Sequence, residues 1–218
     1  MKDKTGLLVP GSFYHIYNRA NGSEKLFLSD ENYRYFLRRY EAFITPVVHT
    51  YCYCLMPNHF HFLIEVKEEG ELEEFFIKND DSKSKTLSDL ADLTGLERST
   101  YLSKKLSLQF SHLFNSYTQA FNKQHSRKGG LFMRPFKRLR VTDDRYLLNL
   151  VRYIHQNPVE AGLSFKPEGW KHSSYGHIIN GSSALVDASR VIEWFDDKPN
   201  FIFCHRTAVD QSILPYLP

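Results

Sequence analysis

An α+β fold is what the order of elements predicts, and three observations carry the prediction. Runs rich in β-branched and aromatic residues alternate with stretches whose apolar residues recur at helical spacing. These elements follow the order β, α, β, β, α, β, α, and a Pro-Asn pair joins the second and third strands tightly enough for a hairpin. That order is the βαββαβ arrangement of a ferredoxin-like sandwich: an antiparallel sheet covered by helices on one face, with an added C-terminal helix and a helical insertion.

Each element has its own signal. Phe13 to Ala20, "FYHIYNRA", mixes aromatic and β-branched residues and runs into the turn pair Asn21-Gly22. Asp30 is placed to cap a helix over Glu31 to Phe43, where Tyr33, Phe36, Leu37, Tyr40 and Ile44 recur at helical intervals. Val47 to Met56 and His59 to Val66 form the hairpin around Pro57-Asn58. Residues 67 to 107 are a charged insertion, with short helices near Leu87 to Leu93 and around Arg98 to Leu106. Leu108 to Lys123 is the second main helix, burying Leu113, Phe114, Tyr117, Ala120 and Phe121. Leu131 to Val141 is a basic strand. Thr142 then caps a helix with Asp143 and Asp144 in its first turn, which buries Leu147, Leu150, Val151 and Ile154 and stops at Pro158. "GWKHSSYGHII" and Ala188 to Phe195 are satellite elements. The expected organisation is one domain over residues 1 to 180, interrupted by the insertion, with an extension from 181 to 218 packed on it.

Composition bounds the function classes. A hydrophobic content of 42% supports a substantial core and excludes general disorder. Three cysteines, Cys52, Cys54 and Cys204, make no even disulfide framework, and the N-terminal residues form no apolar signal core, so a cytoplasmic location is expected. No uninterrupted apolar run reaches about 18 residues, so no membrane span is expected. Net charge is only +3, but its distribution is uneven. Phe110 to Thr142 holds no acidic residue while carrying Lys123, Arg127, Lys128, Arg134, Lys137, Arg138 and Arg140; Glu65 to Asp81 is strongly acidic. Such a distribution either gives one face a field that holds phosphates or is a solvated helix face beside a basic loop.

The chemistry starts at "MPNHFHFLI", Met56 to Ile64. On a strand, residues i and i+2 share a face, so His59 and His61 project together, about 7 Å apart, while Phe60 and Phe62 point the other way. Two such imidazoles can converge on a divalent metal or serve as hydrogen-bonded structural groups. Tyr153 and Asn157 lie at i and i+4 near the end of the last main helix, off its apolar stripe. A phenol can act as a covalent nucleophile and an amide oxygen suits a hard cation; equally, Tyr153 can be a core-edge residue and Asn157 a helix-terminal one. Zinc has less support, because the C-x-C-x₄-H-x-H spacing of Cys52, Cys54, His59 and His61 matches no usual finger pattern.

The combination "MPNHFHFLIEV", the basic "GGLFMRPFKRLRV" and "DDRYLLNLVRYIHQNPVEAGL" resembles the single-tyrosine HUH transposases, in particular their REP-associated tyrosine transposase branch. HUH denotes His, a bulky hydrophobic residue, His; here it is His59-Phe60-His61. The resemblance runs from about Phe13 to about Tyr175, omitting the 67 to 107 insertion and most of the tail after Ile179. It departs from the commoner Gly-Arg-Phe-Lys form of the basic strand by placing Met133-Arg134-Pro135 before Phe136-Lys137.

That resemblance implies an activity and a cast of residues. His59, His61 and Asn157 would be metal ligands, Mg²⁺ or Mn²⁺ the cofactor, and Tyr153 the nucleophile that nicks DNA and forms a 5′-phosphotyrosine, leaving a 3′-hydroxyl able to rejoin. The metal field and Arg152 would help the phenol ionise. The partner would be single-stranded or hairpin DNA, including repeated palindromes, contacted by Arg134, Lys137, Arg138 and Arg140 and by Asn18 and Arg19 of the first strand, with the protein a monomer or homodimer. Two other classes stay open at this point: a domesticated hairpin-binding protein that no longer cuts, and a metal-dependent phosphoesterase that uses water.

Overall fold

The α1 helix, Asp30–Phe43, and the hairpin strands β2, Val48–Met56, and β3, His59–Val66, form where the periodicity places them. With β1, Phe13–Arg19, and β4, Lys137–Arg140, the strands make one sheet in the order β2-β3-β1-β4, each neighbouring pair antiparallel. A computed structural model describes residues 6–79, 93–182, 184–207 and 209 of the chain. Between β3 and β4 come α2, Glu69–Lys78, and α3, Gly95–Gln124. After β4 come α4, Asp144–Glu160, and the short helices α5, Tyr175–Asn180, α6, Ala188–Trp194, and α7, Lys198–Cys204. The ferredoxin-like order is therefore the observed one. Among the described residues no helix is long and apolar enough to cross a membrane.

Strand alternation divides the sheet into two faces of different chemistry. On one, Phe60 and Phe62 meet α1, with Phe36 5.3 Å from Phe60 and Tyr40 stacked 4.3 Å from Phe62, and Tyr117 of α3 closing over Phe36 at 5.1 Å. Burying each such ring contributes roughly 2 kcal/mol, so this layer anchors the sheet. The opposite face carries His15, Tyr17, His59 and His61, and α4 packs over its β2–β3 half. Helices thus cover both faces, not the single face expected from the element order.

Several boundaries differ from expectation for identifiable reasons. The helices expected around 98 to 106 and 108 to 123 are one, because neither Gly nor Pro interrupts the run and Thr94 with Glu97 caps its start. The strand expected from Leu131 shrinks to Lys137–Arg140, since Pro135 has no N–H for a ladder; upstream the Ala20–Phe132 bridge remains, with the Met133 N–H bonded to the Arg19 carbonyl and the Asn21 N–H to the Leu131 carbonyl. Asp143, not Thr142, caps α4, its carboxylate accepting from the Tyr146 N–H at 2.8 Å, and Ser29, not Asp30, precedes α1. The α4 helix also continues past Pro158 for its last turn, where a proline removes a single backbone bond. The stretch from Leu87 to Asp92, expected as a short helix, lies outside the described residues. Acidic α2, in the part of the insertion without a readable pattern, is tied to α3 by Arg98, 3.0 Å from Glu69 and 3.7 Å from Glu73.

The outer edge of β2 is covered by the chain after α4. The Leu55 N–H donates to the His172 carbonyl at 2.9 Å, the Ser174 N–H to the Tyr53 carbonyl at 3.0 Å, and the Trp170 indole N–H to the Leu55 carbonyl at 3.0 Å. An edge so capped offers no template for pairing with another chain.

Candidate active site

Residues separated by about a hundred positions in sequence meet at β3 and α4. Tyr153 and Asn157 project from one face of α4 onto the sheet, 4% and 8% exposed respectively. The Tyr153 ring stands edge-on to His61 with centroids 5.4 Å apart, and Asn157 Oδ1 lies 3.2 Å from His59 Nε2. His59 and His61 are themselves 5.0 Å apart, ring centroid to centroid. The structure therefore brings together the four residues singled out for metal and nucleophile.

Burial sets their protonation. Desolvation lowers the His59 imidazole below its ordinary range and lowers His61, 0% exposed, well below it, so both carry lone pairs at neutral pH. His61 Nε2 is buried with no hydrogen-bond partner, a cost of roughly 1–3 kcal/mol unless something accepts that nitrogen. Neutral imidazoles with an orphaned nitrogen, beside an amide oxygen, form a donor set that fits a divalent cation of nitrogen and oxygen preference. Among the described residues no group of three or more His, Cys, Asp or Glu side chains could hold a metal, so a cation here would depend on two imidazoles and an amide and keep open positions. Cys54 pairs with His61 across the β2–β3 ladder, but burial raises its thiol and that of Cys52, which disfavours the thiolates zinc needs.

Tyr153 is pushed up to about 12 by burial, which the Asn157 side chain partly offsets. Arg152 does not assist, contrary to expectation. Adjacent residues on a helix project in different directions, and its guanidinium is spent on the Cys204 carbonyl at 3.0 Å, Thr207 Oγ1 at 2.8 Å and Asn149 Oδ1 at 3.1 Å.

A cavity of about 370 Å³ opens beside the imidazoles, lined by His59 and His61 together with Asn18, Arg19, Arg134 and Lys137. Asn18 is buried and engaged, its amide donating to the Met133 carbonyl at 3.1 Å, so it shapes the wall. Arg138 and Arg140 alternate with Lys137 and face the other way: Arg138 donates to Ser107 Oγ at 2.8 Å and lies over the Phe136 ring, and Arg140 donates to Ser12 Oγ at 2.9 Å. Period two on β4 thus gives the cavity Lys137 alone of these three.

Two residues join the site that the sequence did not single out. His15 Nε2 is 2.9 Å from His61 Nδ1, and Tyr17 lines the cavity with its buried hydroxyl unpartnered. The signal was present in "HIYNR", where His15, Tyr17 and Arg19 alternate onto one face, but it means something only once β1 lies beside β3 with Tyr17 opposite His61.

No family model matches the chain. Over 126 residues it is 26% identical to a protein of Haemophilus influenzae provisionally named a REP-associated tyrosine transposase, a match covering 58% of this chain and 58% of that one. The structure of a REP-associated tyrosine transposase bound to a REP hairpin aligns over 86% of this chain and 90% of its own, with a TM-score of 0.54 at 12% identity, a likeness of fold. Both carry the name REP-associated tyrosine transposase. The sequence resemblance drawn from "HFH" and "RYIHQNP" is therefore to the same transposase branch that the comparisons find.

Proposed function

We propose that the protein is a divalent-metal-dependent DNA nickase and strand transferase acting on single-stranded or hairpin DNA through a 5′-phosphotyrosine. The observation that carries this reading is the meeting of Tyr153 and Asn157 with His59 and with the unpartnered Nε2 of His61 at a cavity walled by Arg19, Arg134 and Lys137. The hairpin bound by the fold neighbour and the transposase name of the relative support DNA as the partner.

In this reading Arg19, Arg134 and Lys137 draw the phosphodiester into the cavity. His59, His61 and Asn157 would hold Mn²⁺ or Mg²⁺, which supplies Lewis-acid polarisation of the scissile phosphate. Tyr153 Oη attacks phosphorus, the bond to the 3′-oxygen breaks, the phenol loses its proton and the 3′-oxygen gains one. The bond energy stays in the phosphotyrosine, so the 3′-hydroxyl can reverse the step without an added energy source.

Incubating the protein with a labelled hairpin oligonucleotide and Mn²⁺ should leave a covalent adduct that survives denaturation and is absent in Tyr153→Phe. In His59→Ala nicking should be lost while DNA affinity is largely kept, because affinity rests on the cationic wall. Nicking without an adduct would mean hydrolysis by water, and salt-sensitive binding without nicking would mean a binding protein; either would sink the reading.

A further inference from the structure

We propose that the groove between α3 and the 131–138 segment is a track for the DNA segment that ends in the released 3′-hydroxyl, holding it for rejoining. This rests on the nicking reaction above and adds where one product goes. The covalent link retains only the piece that carries the 5′-phosphate. The other piece would diffuse away unless the protein binds it without a bond, and strand transfer needs it in place.

Geometry selects the groove. In an in-line displacement the leaving 3′-oxygen lies opposite the attacking phenol, so its strand departs on the side away from Tyr153. Because α4 packs over β2 and β3, that direction leads across β1 to the β4 edge of the sheet. There Met133, Arg134 and Pro135 line both the 370 Å³ cavity and a second depression of about 500 Å³, so the two adjoin across this ridge. Ser107, Ser111, Asn115 and Thr118, at helical spacing along α3, form the far wall, and Phe114 and the half-buried Phe136 lie between.

The lining suits a single strand. No acidic residue occurs between Glu97 and Asp143, the span that supplies both walls. The Arg134 guanidinium is exposed and makes only a long 3.4 Å contact to Asn115 Oδ1, leaving donors for a phosphate passing the ridge. Hydroxyl and amide groups can follow the backbone while the half-buried Phe136, packed against Phe110 and under Arg138, offers a ring edge to a base, a sequence-tolerant way to grip a strand.

The test compares hairpin substrates that carry several nucleotides 5′ of the nick with substrates trimmed to a single nucleotide there, which keeps the scissile bond and its 3′-oxygen leaving group, using wild type and the double variant Ser111→Glu/Thr118→Glu, whose new charges repel phosphate within the groove. The readout is rejoined strand per covalent adduct formed. On the extended substrate the variant should rejoin about tenfold less per adduct, the loss of one stacked base or a few phosphate contacts. On the trimmed substrate wild type should fall to the same level. Equal rejoining by variant and wild type on the extended substrate, or no effect of trimming on wild type, would overturn the proposal. Should the variant fail to fold by circular dichroism, the trimming comparison in wild type decides alone. Absence of any adduct in wild type would be a failure of the nicking reading; the groove is then judged by affinity, and extended and trimmed hairpins binding wild type equally would overturn it.

Discussion

His61 can offer a lone pair on Nε2 only if its proton sits on Nδ1, and His15 is the group that receives that proton's hydrogen bond. This makes the tautomer of His61 dependent on a residue of another strand, much as the outer partners of metal-bound histidines fix ring orientation. Replacing His15 with Phe should lower stability by about 1–3 kcal/mol, by stranding His61 Nδ1 in the core. It should also weaken Mn²⁺ binding by about 10–100-fold, measured by titration of the DNA-free protein. His15→Gln, which keeps an acceptor, should recover part of both; indistinguishable Mn²⁺ affinity in wild type and His15→Phe would remove His15 from this role. At this scale the sequence showed His59, His61, Tyr153 and Asn157 because each pair has a local spacing, two on a strand or four on a helix. His15 and Tyr17 have no such marker relative to His61; they enter through strand register.

At the scale of elements, α4 carries the site and its own docking decides how well Tyr153 is aimed. The N-terminal end is set by Asp143, and Asp143→Ala should cost about 1 kcal/mol in urea unfolding, the usual price of losing a cap. The outer side of α4 holds the chain's last described helix through Arg152, whose guanidinium gathers Cys204 and Thr207. Arg152→Ala should therefore raise amide exchange across Lys198–Cys204 while leaving β1 and β3 protected, and unchanged exchange in α7 would show that apolar packing alone suffices. The basic strand illustrates why element-level prediction mis-assigned charge. "KRLR" reads as one cationic run, yet two-residue alternation sends Lys137 to the cavity and Arg138 and Arg140 to the other face. Pro135 shortened that strand, and the residues it released became the ridge that carries Arg134.

For the molecule as a whole, buried neutral histidines make stability depend on pH. Behind α4, His155 Nδ1 and His205 Nε2 are 2.9 Å apart, His155 Nε2 bonds Ser174 Oγ at 2.9 Å, and His205 Nδ1 meets the Phe201 carbonyl at 2.7 Å. Desolvation lowers His155 well below its ordinary range and His205 to about 4. Above pH of about 6.5 both are neutral in the folded and unfolded chain and contribute no pH dependence. As pH falls from there the unfolded chain takes up protons first, so stability drops by up to about 1.4 kcal/mol per pH unit for each histidine, levelling for His205 near its folded value of about 4. Melting temperature should thus fall steadily from pH 7 to pH 5, and His205→Gln should flatten the slope. A melting temperature constant over that window would contradict the neutral assignment.

By itself the sequence determined the βαββαβα order outside the insertion, the alternate facing of His59 and His61 from Phe60 and Phe62, and the shared helix face of Tyr153 and Asn157, because these follow from periods of two and 3.6 residues within one element. Only the tertiary structure decided that the two pairs meet, that α4 covers the face opposite α1 and α3, that His15 stands behind His61, and that Arg134 joins the cavity to a groove on α3 while Arg152 turns away. Those outcomes depend on which strands become neighbours and on which side of the sheet a helix lands. Both are settled by burial and hydrogen bonding summed over distant segments, a sum that no local pattern contains.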